Sequence, residues 1–418
     1  MAIERELKFR LAPSAVARAA RLLGLGKPKP LSSLYFDTPR GEIRAASGID
    51  RGGLKVRPLF EARFTRRASQ VHFAGSTIEV ALDRGHIRAG RRREPICELA
   101  IGLKSGAPQS LLRYAQWLVD SLELQLDLES KAARGYRLAL RQAAPPRRWR
   151  RPDIRGTSPQ RAFAVLAGAA VEQAAVNARH VAAAADAEYL HQLRVGLRRF
   201  RALLTAFRAL EPKGKALNKR RRTFSSALGK ARDWDVFVES LPAGSLRRSA
   251  TKKRAQARRA AQEAVRSRAF NLWLVRAMRW LEEAPWKATR QPLAQFAADA
   301  LDRLRRKALK AGDGIDWSDA AARHALRIQI KRLRYACDAF APAFSSGAAR
   351  AYLGALERLQ DDFGVLNDIA VARGLMAGLP VDRGLAARKR AEERRLIARV
   401  MRRWQAFCAQ APFWRADT

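Results

Sequence analysis

One stretch of the sequence occurs twice, 133 positions apart. The polar residues of the first copy recur in the second: His191 as His324, Arg194 as Arg327, Arg198 as Lys331, and Arg201 as Arg334. The same offset relates Pro159, Phe163, Asp186 and Phe207 to Pro292, Phe296, Asp319 and Phe340. A constant offset without gaps, over many side-chain types, indicates an internal duplication.

Helical geometry puts the repeated basic residues on one face. At ~100° per residue, the four residues His191, Arg194, Arg198 and Arg201 fall in one narrow stripe. The neighbouring face is apolar and carries Leu190, Leu193, Leu197, Phe200, Leu204 and Phe207. The second copy repeats the stripe with His324, Arg327, Lys331 and Arg334. Like charges one turn apart destabilise a helix, so a stripe that is built twice predicts an anionic partner.

The composition supports the same expectation. The 418 residues include 82 Lys and Arg against 39 Asp and Glu, a formal net charge of +43. Such an excess repels itself in the folded state unless an anion neutralises it. Three classes of partner fit this charge: nucleic acid, inorganic polyphosphate and an anionic membrane.

Other function classes find little support. The three cysteines, Cys97, Cys337 and Cys408, lack metal-binding or redox spacing. The first residues are charged, unlike a signal peptide, and no apolar run approaches the ~20 residues of a membrane span. The sequence therefore predicts a soluble cytoplasmic protein without a membrane partner.

Residues 1–142 predict an α+β domain with an antiparallel sheet. Charged and apolar residues alternate from Ile3 to Leu11, as in a strand with one buried face. Further strand-like runs occur at 34–37, 62–66, 77–82 and 96–101, and helices are expected at 13–23 and 108–122. Two carboxylates and an ammonium group on one strand face, Glu4, Glu6 and Lys8, suit a divalent metal with a phosphate.

This N-terminal pattern resembles the CYTH family, the triphosphate tunnel enzymes. The resemblance rests on Glu4-x-Glu6-x-Lys8, on Tyr35 to Pro39, on Glu61 to Arg66, on Leu82 to Gly85, on Cys97 to Leu99 and on Ser130 to Tyr136. It implies a closed antiparallel barrel around a basic tunnel. It also implies that Glu4 and Glu6 hold Mg²⁺ or Mn²⁺, and that triphosphate is bound by Lys8, Arg63, Arg66 and Lys131.

The sequence departs from the CYTH pattern in ways that predict an incomplete barrel. Two or three barrel strands are missing between Asp37 and Pro58, where the family carries strands with an Arg-x-Arg pair and a Leu-Lys motif. Ala100, Gly102 and Ala133 stand where the family carries acidic residues. Because ligand charge sets the affinity for a hard cation, and an open tunnel admits water, the domain is expected to be inactive. The CYTH-like domain needs a metal only if the domain retains activity.

A Pro- and Arg-rich linker is expected at 143–156, and helices follow it to the end of the chain. Breaks at Pro and Gly give eight helices near 158–182, 187–210, 215–240, 246–284, 290–311, 318–341, 346–378 and 383–411. Residues 157–418 therefore predict two pseudo-symmetric antiparallel four-helix bundles, with repeat halves at about 157–284 and 290–411.

The third helices of the two halves also correspond, at an offset of 135. Gly229 aligns with Gly364, and Asp233 with Asp368. A glycine inside a helix costs ~1 kcal/mol against alanine, so both glycines are interpreted as points of close helix packing. Both aspartates are expected to orient nearby arginines through charge-assisted hydrogen bonds.

The motifs His191-x-x-Arg194 and His324-x-x-Arg327, with Lys331 to Tyr335, resemble the CHAD domain, the conserved histidine α-helical domain. The resemblance covers about residues 157–411. It implies a basic central channel between two four-helix bundles that binds inorganic polyphosphate, without a cofactor and in association with polyphosphate granules. The residues expected to bind are His191, Arg194, Arg198, Arg201, His324, Arg327, Lys331 and Arg334.

Two alternatives remain open at this level. One is a metal-dependent triphosphatase that acts through the CYTH-like domain. The other is a general nucleic-acid-binding protein, with affinity that falls steeply with salt; aromatic residues make up 8% of the chain and do not interleave with the basic stripe as single-strand binders require.

Overall fold

The computed structural model describes residues 6–37, 57–183, 186–210, 214–283, 286–344, 346–377, 379 and 383–415. The chain forms two compact units. One consists of Ala2–Arg147 with Arg266–Glu283, and the other of Arg148–Val265 with Ala284–Thr418. The predicted metal ligand Glu4 lies outside the described residues, and so does the segment 38–56, where the CYTH resemblance expects further barrel strands.

The N-terminal unit is built on one antiparallel sheet, as predicted. Within the described residues its strands are β1 (Glu6–Arg10), β2 (Lys29–Asp37), β3 (Arg57–Phe73), β4 (Ser76–Ala89), β5 (Arg92–Ser105) and β6 (Gln125–Leu126). Their order is β2-β3-β4-β5-β1-β6. Among the described strands, β2 and β6 are therefore the edges.

Helices α1 (Val16–Leu22), α2 (Pro108–Ser121) and α3 (Lys131–Leu140) belong to the same unit. The core of the unit contains Phe9, Ile78, Val80, Leu99 and Leu112, all fully buried. Helix α3 lies on β3 and β4, where Gly135 is so close to Phe60 that a Cβ would come within 2.0 Å of the ring. This contact fixes where the basic residues of α3 meet the sheet.

The helical unit contains two sets of four helices. The first set is α4 (Pro159–Ala182), α5 (Ala187–Ala206), α6 (Gly214–Glu239) and α7 (Ser245–Arg266). The second set is α9 (Leu293–Gly312), α10 (Ala320–Phe340), α11 (Ser346–Met376) and α12 (Arg383–Ala409). The predicted fold class is confirmed: an antiparallel sheet region precedes a helical region of two related halves.

Repeat-equivalent residues cap equivalent helices. Asp186 caps α5 by accepting a hydrogen bond from the Glu188 amide, and Asp319 caps α10 by accepting from Ala321 and Ala322. Phenylalanines from both halves then meet in one core. The ring of Phe207 lies 5.0 Å from Phe163, 5.4 Å from Phe296 and 4.8 Å from Phe340, centre to centre. The aromatic residues of the duplication therefore join its two copies.

The boundaries near the middle of the chain differ from those that the sequence indicated. The single helix expected at 246–284 is broken at Ser267, and its second part is a separate helix, α8 (Arg268–Glu283). Helix α8 packs in the N-terminal unit, where the Asn271 side chain accepts a hydrogen bond of 3.0 Å from the Leu126 amide. The sequence had placed this segment in the helical domain, because its apolar face looks the same whichever core it fills.

Most of the expected linker at 143–156 belongs to the helical unit. The two units change over between Arg147 and Arg148, and beyond this point Ile154 is fully buried. Trp149 lies against the Arg199 guanidinium at 4.4 Å. The helical unit therefore begins at Arg148, eleven residues before the helix at Pro159, and residues 148–158 form part of it.

Glycines inside the helices have opposite environments. At Gly196 in α5, a Cβ would lie 2.8 Å from the Ala170 carbonyl oxygen and 2.9 Å from the Ala174 nitrogen in α4. At Gly364 in α11, a Cβ would meet nothing within 4 Å. The interpretation of Gly364 as a point of close helix packing is therefore wrong.

We predict opposite stability effects for two identical substitutions. Gly196→Ala should destabilise the helical unit by about 1–3 kcal/mol, because the atoms it meets are backbone and cannot turn aside. Gly364→Ala should stabilise it by up to about 1 kcal/mol, because it adds helix propensity without a clash. Chemical denaturation followed by circular dichroism measures both, and an equal effect of the two would contradict the packing described.

Candidate polyanion-binding site

Helices α5 and α10 pack against each other and bring the two copies of the basic stripe together. Arg194 and Arg198 of α5 interact electrostatically with Arg327 of α10, and Lys331 of α10 interacts with both arginines of α5. We call Arg194, Arg198, Arg327 and Lys331 the central cluster. Each of the four is partly buried. The structure thus assembles half of the predicted binding residues, two from each repeat.

Burial and mutual repulsion change the acid–base behaviour of the central cluster. Desolvation and the charges of Arg327 and Arg198 lower the pKa of Lys331 to about 7. Desolvation and Arg198 lower the pKa of Arg194 to about 10. At neutral pH Arg194 therefore stays cationic, whereas Lys331 is close to half protonated. A nearby anion would favour the charged form of each.

Several hydrogen-bond donors of the central cluster have no acceptor. The Nε atoms of Arg194, Arg198 and Arg327 are buried and unpaired among the described residues. An unpaired buried donor costs about 1–3 kcal/mol. Three such donors from both repeats, beside one another, are what an anion-binding site requires before its ligand arrives.

Two aspartates lie beside the central cluster and interact with its arginines electrostatically, without the charge-assisted hydrogen bonds expected from the sequence among the described residues. Asp233 of α6 interacts electrostatically with Arg194 and Arg327, and also with Asp368 of α11. Desolvation and the Asp368 charge raise the pKa of Asp233, although the arginines oppose this shift. Gly229, one turn before Asp233, leaves room for Arg194, because a Cβ there would lie 3.0 Å from its Nη1 atom. A larger residue at position 229 would therefore crowd the guanidinium.

The two histidines differ in their surroundings. Desolvation, followed by the charges of Arg232 and Arg198, lowers the pKa of His191 to about 4, so this imidazole is neutral at physiological pH. His324 is exposed, and its Nδ1 atom lies 3.2 Å from the Asn367 Oδ1 atom. His191 therefore offers a neutral hydrogen-bonding group to the site and adds no charge.

The outer members of the predicted stripes do not join the central cluster. Arg334 donates hydrogen bonds to Glu357 at 2.8 Å and to Gln360 at 3.2 Å. Arg201 is exposed and interacts electrostatically with Arg221 and Arg332. The two stripes therefore have equivalent centres and different ends.

Arg199 and Tyr335 border the central cluster but were not among the residues that the sequence predicted to bind. Arg199 lies between the rings of Trp149 and Tyr335, at 4.4 and 4.9 Å, and pairs with Asp338. Burial raises the pKa of Tyr335, but the charges of Arg198 and Arg199 and a hydrogen bond from Arg198 outweigh it, so the pKa is lowered. The sequence contained one signal that could have identified Arg199, because this residue recurs as Arg332 at the 133-residue offset.

The basic residues that the CYTH resemblance assigns to triphosphate are mostly paired with carboxylates. Arg66 forms two hydrogen bonds of 2.7 Å with the fully buried Asp83. Lys131 bonds Asp83 at 2.7 Å and also contacts the buried Glu98. Burial alone would raise the pKa of Asp83, but Arg66 and Lys131 hold it below its ordinary value. These cations already have anionic partners within the protein.

The remaining predicted residues of this unit are separated. Lys8 pairs with Glu6 at 3.0 Å on β1. Arg63 is exposed and pairs with Glu61, and it lies on the opposite face of β3 from Arg66, since the two are three residues apart in a strand. Among the described residues, no three His, Cys, Asp or Glu side chains are grouped to hold a metal ion.

Comparison with known proteins agrees with this architecture. The CHAD domain family matches residues 165–377. The chain belongs to the CHAD domain family. A solved structure, the crystal structure of the CHAD domain from the plant Ricinus communis, is 29% identical with a TM-score of 0.54, over 64% of this chain and 98% of that chain. The predicted CHAD assignment is confirmed.

A curated relative carries an enzyme name. An inorganic triphosphatase of Haemophilus influenzae is 39% identical over 87 residues, which are 21% of this chain and 25% of that protein. The chain thus spans about a quarter of that relative in the region of similarity. The N-terminal sheet fits a CYTH-like fold. None of the described helices is both long and apolar enough to cross a membrane.

We predict that Asp83→Asn destabilises the N-terminal unit by about 3–5 kcal/mol, because Arg66 and Lys131 lose a buried charge partner. The pKa of Asp83 is depressed in the folded state, so its contribution is present above the unfolded pKa of about 3.9 and is lost as pH falls through the lower folded pKa. Urea denaturation at pH 7 measures the cost.

The control for this experiment is Asp120→Asn, which removes the exposed partner of Arg268 in the same unit. An exposed pair contributes at most about 1 kcal/mol. If Asp83→Asn cost no more than this control, the buried network would not be structural, and its cations would be free for a ligand.

Proposed function

We propose that the protein binds inorganic polyphosphate through the central cluster. The observation that carries the proposal is the convergence of four cations, two from each repeat, with three buried guanidinium Nε donors that have no acceptor among the described residues. Polyphosphate is a flexible chain of closely spaced negative charges without bases. Planar arginine forks and a lysine ammonium group match its phosphoryl oxygens.

The aromatic residues near the site favour polyphosphate over nucleic acid. Single-stranded nucleic acids are normally held by bases that stack on exposed rings. Tyr335 is buried at 6% exposure, and both Tyr335 and Trp149 contact Arg199. The rings therefore hold an arginine in place, and the cationic surface carries no stacking platform among these residues.

The relative from Haemophilus influenzae favours a second candidate function, the hydrolysis of a triphosphate by the N-terminal unit with Mg²⁺ or Mn²⁺. The described donors do not fit a divalent cation. The Lys131 ammonium group contacts both Asp83 and Glu98, and Glu6 pairs with Lys8. We therefore propose binding without hydrolysis as the main function, and an association with polyphosphate granules as its cellular setting.

Replacing Arg194, Arg198, Arg327 and Lys331 together by Gln should lower polyphosphate affinity by at least about a hundredfold. Two lost charge-assisted hydrogen bonds of about 1.5 kcal/mol each already account for this change. Binding of a long-chain polyphosphate near physiological salt, followed by calorimetry, measures it. The fold should persist, because the substitutions relieve repulsion between like charges.

A matched control neutralises four exposed cations of α7, Arg248, Lys252, Lys253 and Arg259, in the same way. A milder variant, Arg198→Gln with Lys331→Gln, keeps the arginines that face Asp233 and Asp368. If the control lost as much affinity as the two central variants, general net charge would explain binding and the proposed site would be wrong.

We predict that polyphosphate binding takes up a proton at Lys331. The pKa of Lys331 is about 7 without ligand, and a bound anion raises it. Between pH 7 and 9 the affinity should therefore fall as pH rises, by up to about a hundredfold, since each pKa unit is worth about 1.4 kcal/mol. Below pH 7 this dependence should fade because Lys331 is charged in both states.

Lys331→Arg is the control, because arginine stays charged throughout this range. The groups around Lys331 are Arg194 and Arg198 of α5, Arg327 of α10 and Asp368 of α11, and His191 titrates near pH 4. Tyr335 remains in both proteins. The same pH dependence in wild type and in Lys331→Arg would show that Lys331 does not take up the proton.

A further inference from the structure

The internal repeat is symmetric at its centre and asymmetric at one end. Arg199 of α5 pairs with Asp338 of α10. At the 133-residue offset, Arg332 is the equivalent of Arg199, and Thr205 is the equivalent of Asp338. Arg332 therefore has no carboxylate at the position in the first repeat that is equivalent to Asp338. The Thr205 hydroxyl instead donates a hydrogen bond of 3.1 Å to the Arg201 carbonyl oxygen of its own helix.

A second position in the first repeat also lacks a carboxylate that the second repeat carries. Arg334 of α10 pairs with Glu357 of α11 at 2.8 Å. Its repeat equivalent is Arg201, and the equivalent of Glu357 at the 135-residue offset of the third helices is Arg222. A carboxylate in one half is thus an arginine in the other. Asp338 and Glu357, which neutralise Arg199 and Arg334, are therefore absent at the positions equivalent to them in the first repeat.

The positions that lack these two carboxylates belong to a group of basic residues from four helical segments, in which Asp299 interacts electrostatically with Arg303. They interact electrostatically in a connected series: Arg201 with Arg221 and Arg332, Arg332 with Lys307, and Lys307 with Arg208 and Arg303. We call this group the terminal cluster, and it consists of Arg201, Arg208, Arg221, Arg222, Arg303, Lys307 and Arg332. Among the described residues, none of the seven forms an ion pair with a carboxylate.

The interior of the terminal cluster holds a donor in a fixed position. Arg221 donates to the Ser225 hydroxyl at 2.8 Å and to the Asn218 side chain at 3.3 Å. Its Nε atom is buried and has no acceptor among the described residues. Desolvation and the charges of Arg201 and Arg222 lower the pKa of Arg221 to about 10. Arg221 is therefore still charged at neutral pH, although its burial and the neighbouring like charges both oppose the charged form.

The terminal cluster continues directly from the central cluster. Arg201 follows Arg198 by three residues on α5, about 4.5 Å along the helix axis, and Arg332 follows Lys331 on α10. A linear polyanion that occupies the central cluster would therefore meet the terminal cluster next. The repeat-equivalent arginines, Arg199 and Arg334, are already neutralised by Asp338 and Glu357, and so offer such a chain no equivalent path.

We infer that the terminal cluster is a second phosphate-binding site, which takes the continuation of a polyphosphate chain held by the central cluster and makes binding directional and dependent on chain length. This inference rests on the proposed function. A triphosphate is short enough to occupy the central cluster alone. A chain of tens of phosphates would occupy both clusters and bind more tightly.

The test introduces carboxylates at the terminal cluster, at the positions where the other repeat carries them. Thr205→Asp with Arg222→Glu introduces them in the full-length protein. Thr251→Asp with Lys252→Glu on α7 makes the same net charge change at a site outside both clusters. Long-chain polyphosphate and tripolyphosphate are titrated into wild type and both variants near physiological salt, and thermal unfolding checks that each variant is folded. A second variant, Arg201→Gln with Arg332→Gln, tests the same site without adding acids.

We expect both terminal-cluster variants to lose at least about tenfold in long-chain affinity relative to the control, which is the effect of one lost charge-assisted contact. Their affinity for tripolyphosphate should stay within about twofold of the control. If long-chain affinity were the same in the terminal-cluster variants and in the control, the second site would be wrong while the proposed function stood. If wild type bound neither polyphosphate, the proposed function itself would fail.

Discussion

The packing of α5 against α10 is the contact on which the rest of the helical unit depends. It joins the two copies of the duplication through Phe207 and Phe340, whose rings lie 4.8 Å apart, with Phe163 and Phe296 beside them. Burying four phenylalanines contributes about 6–12 kcal/mol. The same contact forces Arg194 and Arg198 against Arg327 and Lys331, so the apolar core offsets an electrostatic cost that the fold creates.

That cost leaves recognisable marks. The lowered pKa of Lys331 and the three unpaired arginine Nε donors reflect cations that are crowded and partly removed from water. The raised pKa of Asp233 reflects its own burial and the charge of Asp368, which outweigh the opposing arginines. The N-terminal unit shows the opposite arrangement, because Asp83 and Glu98 neutralise Arg66 and Lys131 within the fold. The helical unit therefore keeps the cations of its central cluster available, whereas the N-terminal unit uses Arg66 and Lys131 to stabilise its sheet.

The sequence could predict the features that depend on local spacing. The duplication, the apolar face from Leu190 to Phe207 and the antiparallel sheet all follow from residue type and period. The equivalence of His191 and His324 was visible as well, although their different burial was not. Burial depends on which neighbours the tertiary fold supplies, and those neighbours lie far away in the chain.

Features that require long-range pairing could not be predicted. The pairing of Arg66 with Asp83 depends on the register of β3 against β4, and the terminal cluster needs residues from four helical segments. The assignment of α8 to the N-terminal unit depends on Asn271 meeting Leu126, 145 residues away in the chain. A helix that is apolar on one face carries no mark of which core it fills.

Selectivity is the central claim, and a competition titration of the full-length protein tests it most directly. Long-chain polyphosphate would be bound near physiological salt and challenged with duplex DNA and with RNA at matched phosphate concentration. The account predicts that polyphosphate is retained against a large excess of either nucleic acid, because the central cluster offers charge without a surface for bases. Equal competition by DNA or RNA would contradict it and reduce the paired basic stripes to a general polyanion surface.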